Sequence, residues 1–228
     1  MDDVSAGNSD DAIHLFYLQQ ALKLSHLSPP KPTNFRVGAV LVSFPSPSPA
    51  QSTSHPTVLS TGYTLELPGN THAEQCALLK LASEHQSLES ELHTILVPAL
   101  NVTLYTTLEP CGKRLSGNKS CVERIIDTRK SPSGGIRRVI FGAKEPGTFI
   151  QDSASCKMMD EAGVEWKYVP GLEEEILKVA KAGHGQEEER QENMGTNVDD
   201  ISVEERKRQE AMPRNPKKRM MEAPPIGD

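Results

Sequence analysis

The sequence has few aromatic residues, no long apolar run and no excess of positive charge. Phe, Trp and Tyr make up 4% of the 228 residues, and the formal net charge is -6. Proteins that bind nucleic acid typically use basic patches and aromatic stacking, so nucleic acid is not an expected partner. No apolar stretch approaches the roughly 20 residues that span a bilayer. The acidic N-terminus does not have the pattern of a secretory signal. We therefore expect no membrane association and a cytoplasmic location.

Cysteine is also scarce, with four residues in the chain. Without a secretory signal, thiols are expected to remain reduced, and metal binding or burial is then favoured over a disulfide framework. Cys76 and Cys156 lie in apolar helical patterns and are expected to pack in the core. Cys111 and Cys121 have a different setting, which is described below.

Composition divides the chain into three parts. Residues 1–10 are small, polar and acidic, and we predict a disordered N-terminus. Residues 11–182 are predicted to form one domain, interrupted at 44–57 by a Pro/Ser-rich insertion that is unsuited to a sheet. Residues 183–228 are rich in charge and poor in bulky apolar side chains, which predicts a disordered tail. A basic cluster at 217–219 leaves nuclear localisation as an alternative to a solvated tail.

The order of helical and strand patterns in the domain predicts an α/β fold. Predicted helices cover 12–27, a segment beginning at His72, 121–127, 153–162 and 172–182, and predicted strands cover 35–43, 58–63, 101–107, 137–142 and 164–169. This alternation predicts a mixed five-stranded sheet between layers of helices.

Four residues carry the chemistry that the sequence predicts. His72 and Glu74 open a predicted helix, Cys111 follows a strand in the motif Glu-Pro-Cys, and Cys121 begins another helix. One His and two Cys supply three ligands to zinc and leave a fourth position for water, as in catalytic zinc sites. Zinc lowers the pKa of its bound water from about 15.7 to about 7. Glu74 is then placed to move the proton as a general base and acid.

These residues resemble the signature of the cytidine deaminase superfamily, H-x-E with P-C-x-x-C. His72, Glu74, Pro110 and Cys111 match it directly. The second cysteine departs from it, because nine residues separate Cys111 from Cys121 where the short signature has two. A loop of this length can still return the second thiolate to the metal at modest entropic cost. The resemblance implies a cytidine deaminase-like three-layer αβα sandwich.

The long loop between the cysteines is similar to that of the riboflavin-biosynthesis pyrimidine deaminases, and its Arg-Leu-Ser-Gly-Asn form is closer to the fungal enzymes. The resemblance covers 34–169, with matching segments at 33–40 (TNFRVGAV), 72–74 (HAE), 108–111 (LEPC), 134–139 (GGIRRV) and 161–164 (EAGV). One departure is Thr64, where bacterial members have a histidine that contacts substrate.

This resemblance implies hydrolytic removal of the 2-amino group of 2,5-diamino-6-(ribosylamino or ribitylamino)-pyrimidin-4-one 5′-phosphate. It also implies a homodimer and a substrate contact at Asn34, whose alternative role is that of a turn residue. A phosphorylated substrate needs donors near the zinc, and the loop between the cysteines offers Arg114, with Ser116 and Asn118 in support.

Two other functions remain open at this point. A tRNA adenosine, nucleoside or base deaminase would share the metal chemistry, but the long loop, the acidic charge and the few aromatics count against it. A catalytically inactive zinc scaffold would have no use for the proton shuttle Glu74 and would normally close its fourth zinc position with a protein ligand.

Overall fold

A five-stranded mixed sheet forms the centre of the computed structural model, which describes residues 4–45, 55–114, 117–130, 134–145 and 154–184. The strands lie in the order β2 (Thr57–Tyr63), β1 (Gly38–Ser43), β3 (Val102–Leu108), β4 (Ile136–Ala143) and β5 (Glu165–Tyr168). Strand β1 runs antiparallel to both of its neighbours, whereas β3, β4 and β5 run parallel to one another. The predicted mixed sheet is therefore confirmed.

Helices cover both faces of the sheet. The helices are α1 (Val4–Ser25), α2 (Ala73–Glu84), α3 (Leu92–Ile95), α4 (Cys121–Asp127), α5 (Ala154–Glu161) and α6 (Glu173–Ala180). Helices α1 and α6 pack on one face, and α2, α3, α4 and α5 pack on the other. This arrangement is the three-layer αβα sandwich that the sequence predicts.

Two separate hydrophobic cores result, and the central strands supply both of them. In β3, Leu104 belongs to the core under α2 to α5, while the next residue, Tyr105, belongs to the core under α1 and α6. Successive side chains of a strand point to opposite faces. Since both faces of β3 are covered, all seven of its residues are buried. Burial on both faces explains why this strand carries no charged residue, its only polar side chains besides Tyr105 being three threonines.

Two helical segments differ from the sequence prediction. Helix α1 begins at Val4, so residues 4–10 are helical and the predicted disordered N-terminus over 1–10 is wrong for that part. The segment contains no proline, and extending an existing helix costs little once its first turns have formed. The short helix α3 was also not predicted; Leu92 at its start and Leu96 directly after its end are completely buried.

Parts of the predicted domain organisation lie outside the described residues. Of the predicted insertion at 44–57, residues 46–54 are outside, and β2 begins at Thr57. Of the predicted tail at 183–228, only Gly183 and His184 are described. Among the described helices, none combines the length and the apolar character that a membrane crossing requires.

Two glycines let helices approach the sheet closely. A Cβ at Gly38 would lie 1.9 Å from the carbonyl oxygen of Ala21 in α1, and one at Gly62 would lie 2.2 Å from that of Ala73 in α2. Both distances are too short for any side chain. Gly62 therefore brings the first turn of α2 directly against β2.

Candidate active site

One histidine and two cysteines meet at an edge of the sheet. The Nδ1 atom of His72 lies 3.4 Å from the Sγ atom of Cys121 and 3.6 Å from that of Cys111. All three ligand atoms are within 4.8 Å of one another. The structure thus brings together the three residues that the sequence predicts as metal ligands.

Sheet topology explains this convergence. Because β3 and β4 are parallel and β1 is antiparallel to β3, the ends of β3 and β4 lie at the same edge as the start of β1. Cys111 follows β3 at this edge. His72 immediately precedes α2, and its side chain makes no capping hydrogen bond to the helix.

Local capping positions the second cysteine. Ser120 and Glu123 form a capping box, in which the Ser120 hydroxyl accepts from the Glu123 amide and the Glu123 carboxylate accepts from the Ser120 amide. Cys121 is therefore the first residue of α4. Its amide N–H donates to the Sγ of Cys111 over 3.4 Å, which stabilises a thiolate there.

The spacing of the three ligand atoms suits zinc. With Zn–S near 2.3 Å, Zn–N near 2.1 Å and tetrahedral angles, a sulfur and a nitrogen ligand are separated by about 3.6 Å. The two observed N···S distances, 3.4 and 3.6 Å, are close to this value. Among the described residues the group has three ligand atoms, the number at which catalytic zinc sites leave one position open.

The thiols already differ in their affinity for protons. A hydrogen bond from the Cys121 thiol, with His72 close by, lowers the pKa of Cys111 to about 4. The same hydrogen bond, together with burial, raises the pKa of Cys121. The cluster therefore favours one thiolate next to one thiol, and a bound metal would release the remaining proton.

Glu74 lies beside the cluster on the first turn of α2 and is 3% exposed. Its Oε1 accepts a hydrogen bond from Thr106 Oγ1 at 3.3 Å, and its Oε2 is 3.3 Å from the Sγ of Cys121. Burial and the negative charge of Cys111 raise the pKa of the carboxyl group. Glu74 thus has a fixed orientation and an increased affinity for a proton, both of which suit a proton shuttle.

A cavity of about 180 Å³ opens in front of the cluster. It is lined by Thr33, Asn34, Phe35, Val37, Thr64, His72, Glu74, Leu108, Glu109, Cys111 and Glu145. Asn34, predicted as a substrate contact, is therefore in the wall. Its amide nitrogen donates to the side-chain oxygen of Asn70 at 2.6 Å, and its own oxygen accepts from Thr33 at 2.8 Å.

The other predicted substrate contacts are not at the cavity wall. Arg114 is 8% exposed, and its guanidinium donates to the carbonyl oxygen of Asn70 at 2.8 Å and to the Gln75 side chain at 3.3 Å. Asn118 is partly buried and is not one of the lining residues. Ser116 lies outside the described residues. Arg114 therefore supports the segment that carries Asn70, the hydrogen-bond partner of Asn34.

Two acidic residues of the wall were missed from the sequence. The carboxylate of Glu109 accepts from the Ser155 hydroxyl and lies 3.5 Å from the Lys144 ammonium group. Burial and the charge of Cys111 raise the pKa of Glu145 to about 7. Glu109 directly follows β3 and Glu145 is the second residue after β4, and polar residues at the ends of parallel strands are a sequence signal for ligand contacts.

Comparison with protein families gives a match over residues 12–143 to the cytidine and deoxycytidylate deaminase zinc-binding region. The chain belongs to this family. A curated deaminase relative is the diaminohydroxyphosphoribosylamino-pyrimidine deaminase of Schizosaccharomyces pombe, which is 31% identical over 173 residues. The alignment covers 75% of this chain but 36% of the relative, so the chain spans about a third of that protein's length.

Solved structures of the deaminase family give the same result. The chain is 49% identical to the Rib2 deaminase of Aspergillus oryzae at pH 6.5, a C-terminal deletion mutant, with a TM-score of 0.68 and coverage of 77% of this chain and 94% of the other. A structure of that deaminase in complex with DARIPP is 50% identical, with the same TM-score and coverage. The resemblance to fungal riboflavin-pathway deaminases is therefore confirmed.

The metal cluster yields a direct prediction about zinc content. The purified protein should contain about one zinc per chain, and Cys111→Ser should lose it, because two of three ligands hold the ion poorly. Elemental analysis of protein dialysed under reducing conditions measures this. Cys76→Ala is the matched control, since Cys76 is a buried thiol of α2 outside the cluster. Full zinc retention in Cys111→Ser would show that the ligand assignment is wrong.

Proposed function

We propose that this chain is a zinc-dependent hydrolase that deaminates 2,5-diamino-6-(ribosylamino or ribitylamino)-pyrimidin-4-one 5′-phosphate at its 2-amino group. The observation that carries this proposal is the 50% identity, over 77% of the chain, to a Rib2 deaminase whose structure holds DARIPP. The site supports it, since a three-ligand cluster and a buried carboxylate face one cavity.

Zinc held by His72, Cys111 and Cys121 would supply a water with a pKa lowered to about 7. The reaction joins the water oxygen to the ring carbon and breaks the bond from that carbon to the amino nitrogen. Glu74 would accept one proton from the attacking water and deliver it to the ring nitrogen. It would then take the second proton, from the hydroxyl now bound to the ring carbon, and deliver it to the amino nitrogen, which leaves as ammonia while the carbon becomes a carbonyl. Thr106 holds the carboxylate in position for these transfers through its hydrogen bond to Oε1.

The size of the cavity suggests which part of the substrate lies inside it and which part lies at its mouth. A volume of about 180 Å³ is small beside the roughly 300–1,000 Å³ of pockets for drug-sized ligands. We propose that the pyrimidine ring fills it, with hydrogen bonds to Asn34 and to Glu145. The sugar phosphate then lies at the mouth, within reach of the loop between the cysteines, where Arg114, Ser116 and Asn118 are the proposed contacts.

A cytoplasmic homodimer is the proposed setting. No disulfide joins any of the four cysteines, all of which are among the described residues, and this suits a reducing compartment. Helix α1 leaves Ile13 and Phe16 41% and 53% exposed, three residues apart on one helix face. Contact with a second copy of the chain would remove these two apolar side chains from water.

The first test of the proposal is direct assay. The zinc-loaded protein is incubated separately with the ribosylamino and the ribitylamino pyrimidine phosphate. Each substrate molecule deaminated should release one ammonia, which a coupled enzymatic assay measures. Cytidine and adenosine serve as control substrates. Deamination of either control in preference to both pyrimidines would contradict the proposed substrate class.

The role of Glu74 is tested by Glu74→Gln. The amide keeps the shape of the carboxylate and can still hydrogen-bond, but it cannot carry the proton, so kcat should fall by about 10² to 10⁴. Zinc content and KM should change little. Zinc content, kcat and KM are measured on the same preparation. Near-normal turnover with zinc bound would refute the shuttle, and loss of zinc would show that Glu74 helps to hold the metal.

The role of Arg114 is tested by comparing the phosphorylated substrate with its dephosphorylated analogue. If Arg114 meets the phosphate, Arg114→Ala should raise KM by about 10- to 100-fold for the phosphorylated form and far less for the analogue, because a charge-assisted hydrogen bond contributes about 1.5–3 kcal/mol. An equal rise in KM for the phosphorylated substrate and for its analogue would contradict this role. That result would assign Arg114 to the support of Asn70 alone.

A further inference from the structure

The cavity wall at residues 33–35 lies in an irregular segment that precedes β1. Among the described residues, its own backbone bonding is an isolated bridge between Lys31 and Asn34 with an N···O distance of 3.4 Å, beside the side-chain hydrogen bond from Thr33 to Asn34. A segment of this kind needs external contacts to hold side chains in one position. The end of α6 supplies them, beginning with a hydrogen bond from the Arg36 amide to the carbonyl oxygen of Ala180 at 3.1 Å.

The second contact is an aromatic stack. The rings of Phe35 and His184 lie with centroids 4.8 Å apart and planes inclined by 18°. Phe35 lines the cavity, whereas His184 does not. The Nε2 atom of His184 is buried and accepts or donates no hydrogen bond within the described part of the chain. The ring therefore contacts Phe35 through its face and not through a hydrogen bond of Nε2.

The third contact is a close backbone approach at Gly183. A Cβ at this residue would lie 2.3 Å from the amide nitrogen of Lys31 and 2.6 Å from its carbonyl oxygen. Only glycine permits this approach. Residues 180–184 thus contact the segment before β1 at three places, namely Lys31, Phe35 and Arg36.

We propose that His184 is a positioning residue of the active site, which holds Phe35 and the adjacent Asn34 in the cavity wall by stacking on the Phe35 ring. The inference deepens the proposed function, since it assigns to the end of α6 a part in binding the pyrimidine ring. Without the stack, Phe35 gains rotamer freedom, and substrate binding must then restore the order that the stack provides.

The test compares three variants of the full chain. His184→Ala removes the stack and should raise KM for the pyrimidine by roughly 3- to 10-fold, which corresponds to the loss of one aromatic pair. The value of kcat should not change, because the stack supports binding of the ground state and of the transition state equally. His184→Phe keeps a stacking ring and should restore KM. His85→Ala is the control, because His85 is an exposed histidine at the opposite end of α2 from His72.

A second measurement does not depend on activity. Hydrogen exchange of the amides at 33–37 should speed up in His184→Ala and return to the wild-type rate in His184→Phe, while exchange in β3 stays unchanged. Gly183→Ala should give the same faster exchange as His184→Ala, since its Cβ would displace Lys31.

The outcomes separate the two proposals. A wild-type protein that deaminates neither pyrimidine refutes the proposed function, and the exchange rates then decide the positioning role alone. Active wild-type protein with an unchanged KM in His184→Ala overturns the inference. So does a defect in His184→Phe as large as that in His184→Ala, because stacking would then not be the cause.

Discussion

The mixed direction of the strands is the constraint on which the site depends. Strand β1 is antiparallel to β3, and β3 is parallel to β4, so one edge of the sheet receives the start of β1 and the ends of β3 and β4. The segment before β1 forms the cavity wall. The residues after β3 and β4 supply Cys111, Glu109 and Glu145. A sheet with all strands parallel would place the start of β1 at the other edge, away from the cluster.

Negative charge is concentrated behind this edge. Glu74, Glu109, Glu145 and the thiolate of Cys111 lie around one cavity, and Lys144 is close enough to Glu109 to offset part of the charge. The raised pKa values of Glu74 and Glu145 show the cost of placing anions together in a buried site. A divalent cation at His72, Cys111 and Cys121 would offset much of that charge, which couples metal binding to the stability of the folded chain.

Two segments outside the sheet support the cavity wall, one in the loop between the cysteines and one after α6. Arg114, in the loop between the cysteines, donates to the carbonyl of Asn70, whose side chain accepts from Asn34. His184, after α6, stacks on Phe35. Adjacent wall residues thus depend on segments that are distant in sequence. The His/Cys cluster and the cavity wall at residues 34 and 35 are therefore held by different sets of contacts.

The sequence by itself determined the order of the five strands and of the helices other than α3, the mixed sheet and the three residues that meet in the His/Cys cluster. These features are local: each helix and strand has its own apolar period, and His72, Glu74, Cys111 and Cys121 stand at the starts and ends of such elements. The acid Glu145 in the wall, the partners of Arg114 and the stack of His184 on Phe35 were decided by tertiary structure. They depend on contacts between residues far apart in the chain, and no local period or spacing encodes which distant surfaces meet.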